Sequence, residues 1–152
     1  MTASAPASQF VYVTFIRSTP EKVWDALTNP ETMKLYWFGM PQACDWKVGS
    51  PWKMLFSDGR PADSGEVLEA DKPRRIALKW RNDWKDELHA EGFSTCTYDI
   101  EEVDGAVKLT VTHTMDRPQS QFIQAVSGGW PKILSNLKSL LETGEPMFPP
   151  GK

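Results

Sequence analysis

Cysteine and histidine are scarce in this sequence of 152 residues, which contains two of each. Cys44 and Cys96 do not form a CxxC pair, so we expect two free thiols in a reducing cytoplasm. Asp86, Glu87 and His89 lie close together, but they lack a recognisable ligand spacing and the sequence offers few further histidines. We therefore expect no metal ion.

Long apolar runs and long basic runs are also absent. No stretch approaches the roughly 20 apolar residues that span a bilayer, and no basic run is longer than Arg74-Arg75. The formal net charge of −3 and the acidic pI argue against binding to nucleic acid or to an anionic membrane. The motifs G-x-S-x-G, H-E-x-x-H and Walker A are missing too, so nothing supports nucleophilic catalysis and we expect no cofactor.

Tryptophan, by contrast, is abundant, with seven residues. Such large amphipathic rings belong in cores or in apolar pockets that have a polar edge. The chain is long enough for one domain with a core of its own, and its composition of 40% hydrophobic and 24% charged residues is ordinary for a globular protein. We expect this domain over residues 10–144, with flexible tails at 1–9 and 145–152.

The first part of the domain predicts one strand and two short helices. Residues 10–17, FVYVTFIR, are β-branched and aromatic, as is typical of a strand. A helix then starts at Pro20, capped by Thr19 or by a capping box of Ser18 with Glu21. The tripeptide Asn-Pro-Glu that follows it repeats the start signal and opens the second helix, PETMKLYW.

Period-two alternation dominates the middle of the chain. It predicts strands at 51–57, 62–71, 75–81, 94–103 and 106–115. Each strand has one apolar and one polar face, which is typical of an antiparallel sheet that is covered on one side. Asp104-Gly105 is a strong turn signal between the last two strands, and the short links favour a meander.

The last helix carries a broad apolar stripe at three- and four-residue spacing. The stripe consists of Phe122, Val126, Trp130, Ile133, Leu134, Leu137, Leu140 and Leu141. Because Pro131 has no amide hydrogen, it should bend the helix or restart it. We expect a helical turn from about Gln119, a bend at 127–131 and a straight helix to about Glu142. Gly128 and Gly129 are expected to let another backbone or a bulky ring approach closely.

Four stretches carry a resemblance to a known family. They are STPEKVWDALTNPETMKLYW, SGEVLEADKPRRIALKW, VKLTVTHTM and GGWPKILSNLKSLL. Residues 10–144 resemble the SRPBCC (START-like, Bet v-type) superfamily, and within it the bacterial branch related to the activator of the Hsp90 ATPase. This resemblance implies an α+β helix-grip fold, in which a curved antiparallel sheet wraps around a long C-terminal helix and leaves an apolar cavity between them. It does not imply one activity, because the superfamily includes lipid carriers, polyketide cyclases, aromatases, hormone receptors and co-chaperones.

Aromatic and sulfur-containing side chains are the candidates for lining that cavity, although the same residues would also fill a solid core. The residues that we expect to bind a ligand are Trp37, Phe38, Trp52, Met54, Phe56, Trp80, Trp84, Tyr98, His113, Met115, Phe122, Val126, Trp130 and Leu134. His113 lies on the covered face by alternation, where it acts either as an acid or base or as a satisfied core histidine.

The segment 81–92 is charged and lacks strand alternation, so we expect a long loop or a short helix there. Trp84 and Leu88 are four residues apart and either anchor this segment or shield a cavity mouth. The residues that would stand at the entrance are Arg81, Glu87 and Glu91. Otherwise the segment is a solvated connection between strands.

Three functions remain compatible with the sequence. The first is a protein that binds a small hydrophobic, aromatic or lipid-like molecule. The second is an enzyme of the cyclase or hydrolase type, with His113 and Glu91 as acid and base. The third is a chaperone-activator-like interaction protein. Whether a reaction is catalysed and whether the protein forms a homodimer both stay open.

Overall fold

The computed structural model describes residues 7–148. The elements in chain order are β1 (Ser8–Ile16), α1 (Pro20–Thr28), α2 (Pro30–Tyr36), β2 (Gln42–Cys44), β3 (Pro51–Leu55), β4 (Pro61–Asp71), β5 (Arg75–Asn82), α3 (Asp86–His89), β6 (Ser94–Val103), β7 (Ala106–Met115) and α4 (Gln121–Thr143). This order of one strand, two short helices, a series of strands and a long helix is the predicted one.

The strands of the described chain form a single antiparallel sheet in the order β1-β7-β6-β5-β4-β3-β2. β2 to β7 are a meander, and β1 joins it by pairing with β7 from Ser8 opposite Met115 to Ile16 opposite Val107. The sheet is curved and α4 covers one face of it, so the α+β helix-grip architecture is confirmed.

Both short helices begin at the predicted caps. The amide of Lys22 donates to Thr19 Oγ1 over 3.2 Å, so Thr19 rather than the alternative capping box starts α1. The amide of Glu31 donates to Asn29 Oδ1 over 3.0 Å at the start of α2. Proline follows each cap, where its missing amide hydrogen costs nothing.

α4 differs from the prediction because it is one continuous helix from Gln121 to Thr143. It does not restart at 127–131, and Gln119 precedes the cap rather than starting a turn. Pro131 removes only one hydrogen bond within the helix, and the buried apolar stripe on both sides of it keeps the helix together. No described helix is long and apolar enough to cross a membrane.

The expected close approach at the two helical glycines is also wrong. A Cβ at Gly128 would meet no described atom within 4 Å, and a Cβ at Gly129 would meet only Ile133 Cδ1, at 4.0 Å. Gly128 is exposed, whereas Gly129 faces an open space beneath the helix.

The domain boundaries stay a prediction. Most of the two predicted tails, namely residues 1–6 and 149–152, lies outside the described residues. Ser8 and Gln9, which we assigned to the first tail, belong to β1. In the second, the amide of Phe148 donates to Asn136 Oδ1 of α4 over 2.7 Å.

Candidate ligand cavity

An apolar cavity of about 240 Å³ lies between the first half of α4 and the β3–β5 side of the sheet. Its lining consists of Trp37, Met40, Met54, Asp63, Trp80, Asn82, Trp84, Lys85, Leu88, Phe122, Ala125, Val126, Gly129, Trp130 and Ile133. α4 packs chiefly against β1 and α2, away from β3 and β4. The cavity lies where the helix and that side of the sheet diverge.

Three residues that face each other across β3, β4 and β5 form part of the sheet side of the cavity, next to Trp80. Met54 pairs with Asp63, and Asp63 pairs with Asn82, so all three side chains share one face. Asn82 Oδ1 accepts hydrogen bonds from the amides of Trp84, over 3.1 Å, and Lys85, over 2.9 Å. The strand thereby holds the loop that carries these two residues at the mouth.

Three tryptophan rings meet at the centre of the cavity wall. The ring centroids of Trp37 and Trp130 are 5.4 Å apart, those of Trp80 and Trp130 are 5.8 Å apart, and both pairs are close to edge-on. Such edge-to-face pairs are favourable because the positive edge of one ring meets the negative face of the other. Trp52 packs behind Trp80, with centroids 4.5 Å apart, and is completely buried.

Gly65 permits this packing. It lies between Trp52 and Trp80 in the register of β3, β4 and β5. A Cβ at this position would stand 1.6 Å from the carbonyl oxygen of Lys79 on the neighbouring strand. Only glycine therefore allows β4 and β5 to approach so closely here.

Two buried polar atoms at the cavity have no hydrogen-bond partner among the described residues. They are Asp63 Oδ1 and Trp80 Nε1. Burial raises the pKa of Asp63 to about 7, and the negative charge of Asp83 acts in the same direction. The nearby Trp80 N–H counteracts part of that rise, although the two groups do not align into a hydrogen bond.

His113 lies outside the cavity lining and is completely buried. Trp130 Nε1–H donates to His113 Nδ1 over 3.2 Å, which assigns the proton to Nε2. Nε2–H donates to Ser94 Oγ over 2.8 Å, and Ser94 Oγ donates to the carbonyl of Trp80 over 2.8 Å. Burial lowers the pKa of His113 to about 3. Both ring nitrogens are used, so a structural role accounts for this residue better than acid–base chemistry.

Glu91 does not stand at the cavity mouth but caps the N-terminus of α4. Its carboxylate accepts hydrogen bonds from the hydroxyl of Ser120 and from the amides of Gln121, over 2.9 Å, and Phe122, over 3.4 Å. Burial acts to raise the pKa of Glu91, but these hydrogen bonds outweigh it and the pKa is lowered. The expected catalytic pairing of Glu91 with His113 therefore has no geometric support.

Half of the residues that we expected to bind a ligand lie in the cavity lining, and binding by them stays a prediction. Those in the lining are Trp37, Met54, Trp80, Trp84, Phe122, Val126 and Trp130; those outside it are Phe38, Trp52, Phe56, Tyr98, His113, Met115 and Leu134. Most of the second group fills the core, whereas Phe56 packs edge-on against Trp84 from outside, with centroids 5.5 Å apart. Arg81 pairs with Asp83 over 2.8 Å and does not line the cavity, and neither does the exposed Glu87.

Asp63 lines the cavity although the sequence analysis did not predict it. A usable signal was present, because Asp63 and Gly65 alternate with the buried Val67 and so lie on the covered face. Within residues 7–148, no group of three or more histidine, cysteine, aspartate or glutamate side chains is placed to hold a metal ion.

Comparison with known proteins gives a family match over most of the chain. The family model described as "Activator of Hsp90 ATPase homolog 1-like protein" matches residues 17–142. No curated protein matches.

Solved structures of similar fold include three informative cases. The Hsp90 activator from Plasmodium falciparum is 25% identical, with a TM-score of 0.71 and coverage of 88% of this chain and 95% of that one. The Aha1 dimer from Colwellia psychrerythraea is 20% identical, with a TM-score of 0.73 and coverage of 90% and 98%. CalU16 from Micromonospora echinospora is 18% identical, with a TM-score of 0.73 and coverage of 91% and 78%. The last two likenesses concern the fold alone.

Proposed function

This chain belongs to the Activator of Hsp90 ATPase homolog 1-like family, a branch of the SRPBCC superfamily, and we propose that it binds a small hydrophobic molecule in the cavity beneath α4. The observation that carries the proposal is the open apolar space between α4 and the sheet, which the protein's own side chains do not fill. Ligand sites in proteins combine such an apolar lining with a few placed polar groups.

The size of the cavity defines the size of the ligand. An apolar cavity of about 150 Å³ holds benzene, so a volume of about 240 Å³ has room for a fused bicyclic ring or for a single ring with a short chain. Burying about 200 Å² of apolar ligand surface contributes roughly 5 kcal/mol at about 25 cal/mol per Å². Part of this is offset by the cost of association, so we expect weak to moderate affinity for simple aromatic probes.

The two glycines of α4 offer a matched test. Gly129→Leu places a side chain in the cavity, whereas Gly128→Leu places the same side chain at an exposed position of the same helix. Both changes replace glycine in a helix and share the gain in helix propensity. Calorimetric titration with indole, an uncharged bicyclic probe, should show binding to the original chain and to Gly128→Leu, and at least tenfold weaker binding to Gly129→Leu.

Equal binding of indole to both leucine variants would contradict the proposal, because the probe would then lie elsewhere. A second contradicting result has two parts. Indole binds to none of the three proteins, and native mass spectra of protein from its own host show no retained small molecule. A retained molecule that Gly129→Leu loses and Gly128→Leu keeps would support it.

A second candidate is a protein interaction, as in chaperone activation. It is favoured by the likeness to the Hsp90 activator from Plasmodium falciparum, at 25% identity over 88% of this chain. The test is an Hsp90 ATPase assay with and without the purified protein, together with a pull-down. If Gly128→Leu and Gly129→Leu stimulate the Hsp90 ATPase equally, the activity belongs to the outer surface of this protein and not to its cavity. Homodimer formation stays a prediction.

A further inference from the structure

The carboxyl group of Asp63 has no cationic partner among residues 7–148, although it lines the cavity. Its Oδ1 atom is buried without a hydrogen bond. The nearest basic side chain of the lining, Lys85, lies over the ring of Trp84, 5.4 Å from its centroid, rather than on Asp63. A carboxylate left unpaired in an apolar site is costly, so a ligand that supplies its partner would gain more than apolar contact alone.

The surroundings of Asp63 favour a positive partner over a neutral one. Asp83 is close enough to act on Asp63 in the same direction, although Arg81, 2.8 Å from Asp83, offsets part of its charge. The rings of Trp37, Trp80 and Trp130 line the same space, and the negative faces of indole rings attract cations more strongly than those of other aromatic side chains. Carboxylate and rings therefore act in the same direction.

We propose that the cavity recognises organic ammonium ions, specifically amines with one aromatic ring on a short alkyl chain, and that Asp63 is their counter-ion. The ammonium group donates hydrogen bonds to the Asp63 carboxylate, and the ring of the ligand lies among the tryptophans beneath α4. This inference rests on the proposed ligand-binding function and names the chemical class of the ligand.

Three probes of nearly equal size separate charge from apolar contact. They are 2-phenylethylamine, which is a cation, 2-phenylethanol, which is its neutral counterpart, and phenylacetate, which is an anion. Calorimetric titration at about pH 8 should give an affinity at least tenfold higher for the amine than for the alcohol, and no measurable binding of the anion. Phenylacetate that binds as well as the amine would overturn the proposal.

Asp63→Asn removes the charge and keeps the shape of the side chain. It should weaken binding of 2-phenylethylamine at least tenfold and leave that of 2-phenylethanol within about twofold. The matched control is Glu66→Gln, which removes a carboxylate from the exposed face of the same strand and should change neither affinity. Lys85→Gln removes from the cavity mouth a positive charge that repels the ammonium group, and should strengthen amine binding a few-fold.

The affinity for the amine should also depend on pH. The charged groups that face Asp63 are Asp83, which is paired with Arg81 and lies 3.7 Å from His89 Nε2, and Lys85. β3 and α4 bring no charged residue to the lining. Since 2-phenylethylamine keeps its proton between about pH 5 and pH 8, the weakening expected below about pH 7 reports protonation of Asp63. Asp63→Asn should abolish this dependence.

The two proposals fail in different ways. If 2-phenylethanol and the amine bind equally and Asp63→Asn changes neither, the cation proposal is wrong while ligand binding in the cavity stands. If indole and all three phenyl probes fail to bind, and Gly129→Leu behaves as Gly128→Leu does, then ligand binding itself is wrong. Thermal unfolding of each variant shows that it is folded before either conclusion is drawn.

Discussion

At the scale of single residues, the cavity contains a carboxyl group that opposes folding at neutral pH. Asp63 keeps a buried oxygen without a partner, and burial raises its pKa to about 7. In the unfolded chain the group titrates near 3.8. Between these two values the folded state holds one more proton than the unfolded state, so stability decreases as pH rises.

Asp63→Asn should therefore stabilise the protein above about pH 7. The expected gain in the free energy of unfolding is about 1–3 kcal/mol, the usual cost of an unsatisfied buried group. Below about pH 4 the gain should vanish, because Asp63 is then protonated in both states. Urea unfolding at a series of pH values measures the difference. A gain that does not depend on pH would show that the carboxylate charge is not its cause.

His113 shows the opposite dependence. Its pKa falls from 6.5 to about 3 on folding because the ring is buried. The stability that this neutral histidine contributes is complete above pH 6.5 and is lost as pH falls towards 3. The slopes of His113 and Asp63 oppose each other between about pH 4 and pH 6.5, which flattens the overall profile.

Replacing His113 by phenylalanine should lower the free energy of unfolding at neutral pH by about 2–4 kcal/mol, because the indole N–H of Trp130 and the hydroxyl of Ser94 each lose a buried partner. The variant should also lack the loss of stability below pH 6.5. Chemical denaturation at about pH 7 and pH 5 tests both points. If the phenylalanine variant is as stable as the original chain at neutral pH but turns over a ligand differently, His113 acts as an acid or base.

At the scale of elements, regular alternation was the most reliable predictor. β6 and β7 have the predicted bounds, because Cys96, Tyr98 and Ile100 and the matching residues of β7 alternate without interruption. β4 was harder to interpret, since its register shifts between Val67 and Glu69 and the alternation breaks there. Asp63 precedes this break and keeps the regular alternation with Gly65 and Val67, but an aspartate on the covered face does not look like a lining residue by its type.

The division between cavity and core could not be predicted from residue type. Trp52 of β3 and Trp80 of β5 lie on the same face of the sheet, on either side of Gly65, yet Trp80 lines the cavity and Trp52 does not. The difference depends on where α4 stands relative to the sheet, which is a long-range property. The sequence left His113 open between a catalytic and a core role and missed the role of Glu91 for the same reason, because their partners are 17 to 31 residues away in the sequence.

The cap on α4 gives a prediction at this scale. Glu91→Ala removes the acceptor for two amides and one hydroxyl at the helix N-terminus, and should lower the free energy of unfolding by about 1–2 kcal/mol. Because the pKa of Glu91 is lowered on folding, the effect should be complete above about pH 5 and should fade in acid. Denaturant titration measures it.

Glu87→Ala is the matched control, since Glu87 is an exposed carboxylate four residues earlier. Its effect should stay within about 0.5 kcal/mol. If both substitutions cost the same, the hydrogen bonds to α4 would not be the source of the stabilisation.

At the scale of the whole molecule, α4 is packed differently along its length. Its second half is sealed into the core by Leu134 and Leu137, which are almost completely buried. Its first half covers the cavity, where Gly129 faces open space. The fold thus separates a part that secures stability from a part that remains accessible to a ligand.

A ligand that binds only the folded state should raise the stability of the whole domain by mass action. At ten times its dissociation constant, indole should add about 1.4 kcal/mol, which corresponds to an increase in Tm of about 3–6 °C for a domain of this size. Differential scanning calorimetry should show this increase for the original chain and for Gly128→Leu. Gly129→Leu should show none at the same concentration, although its own Tm is expected to be at least as high, since the leucine replaces a helical glycine and fills empty apolar space. If indole raises the Tm of both variants equally, the stabilising site is not beneath α4. The leucine of Gly129→Leu would then fill the cavity without reducing the effect of indole.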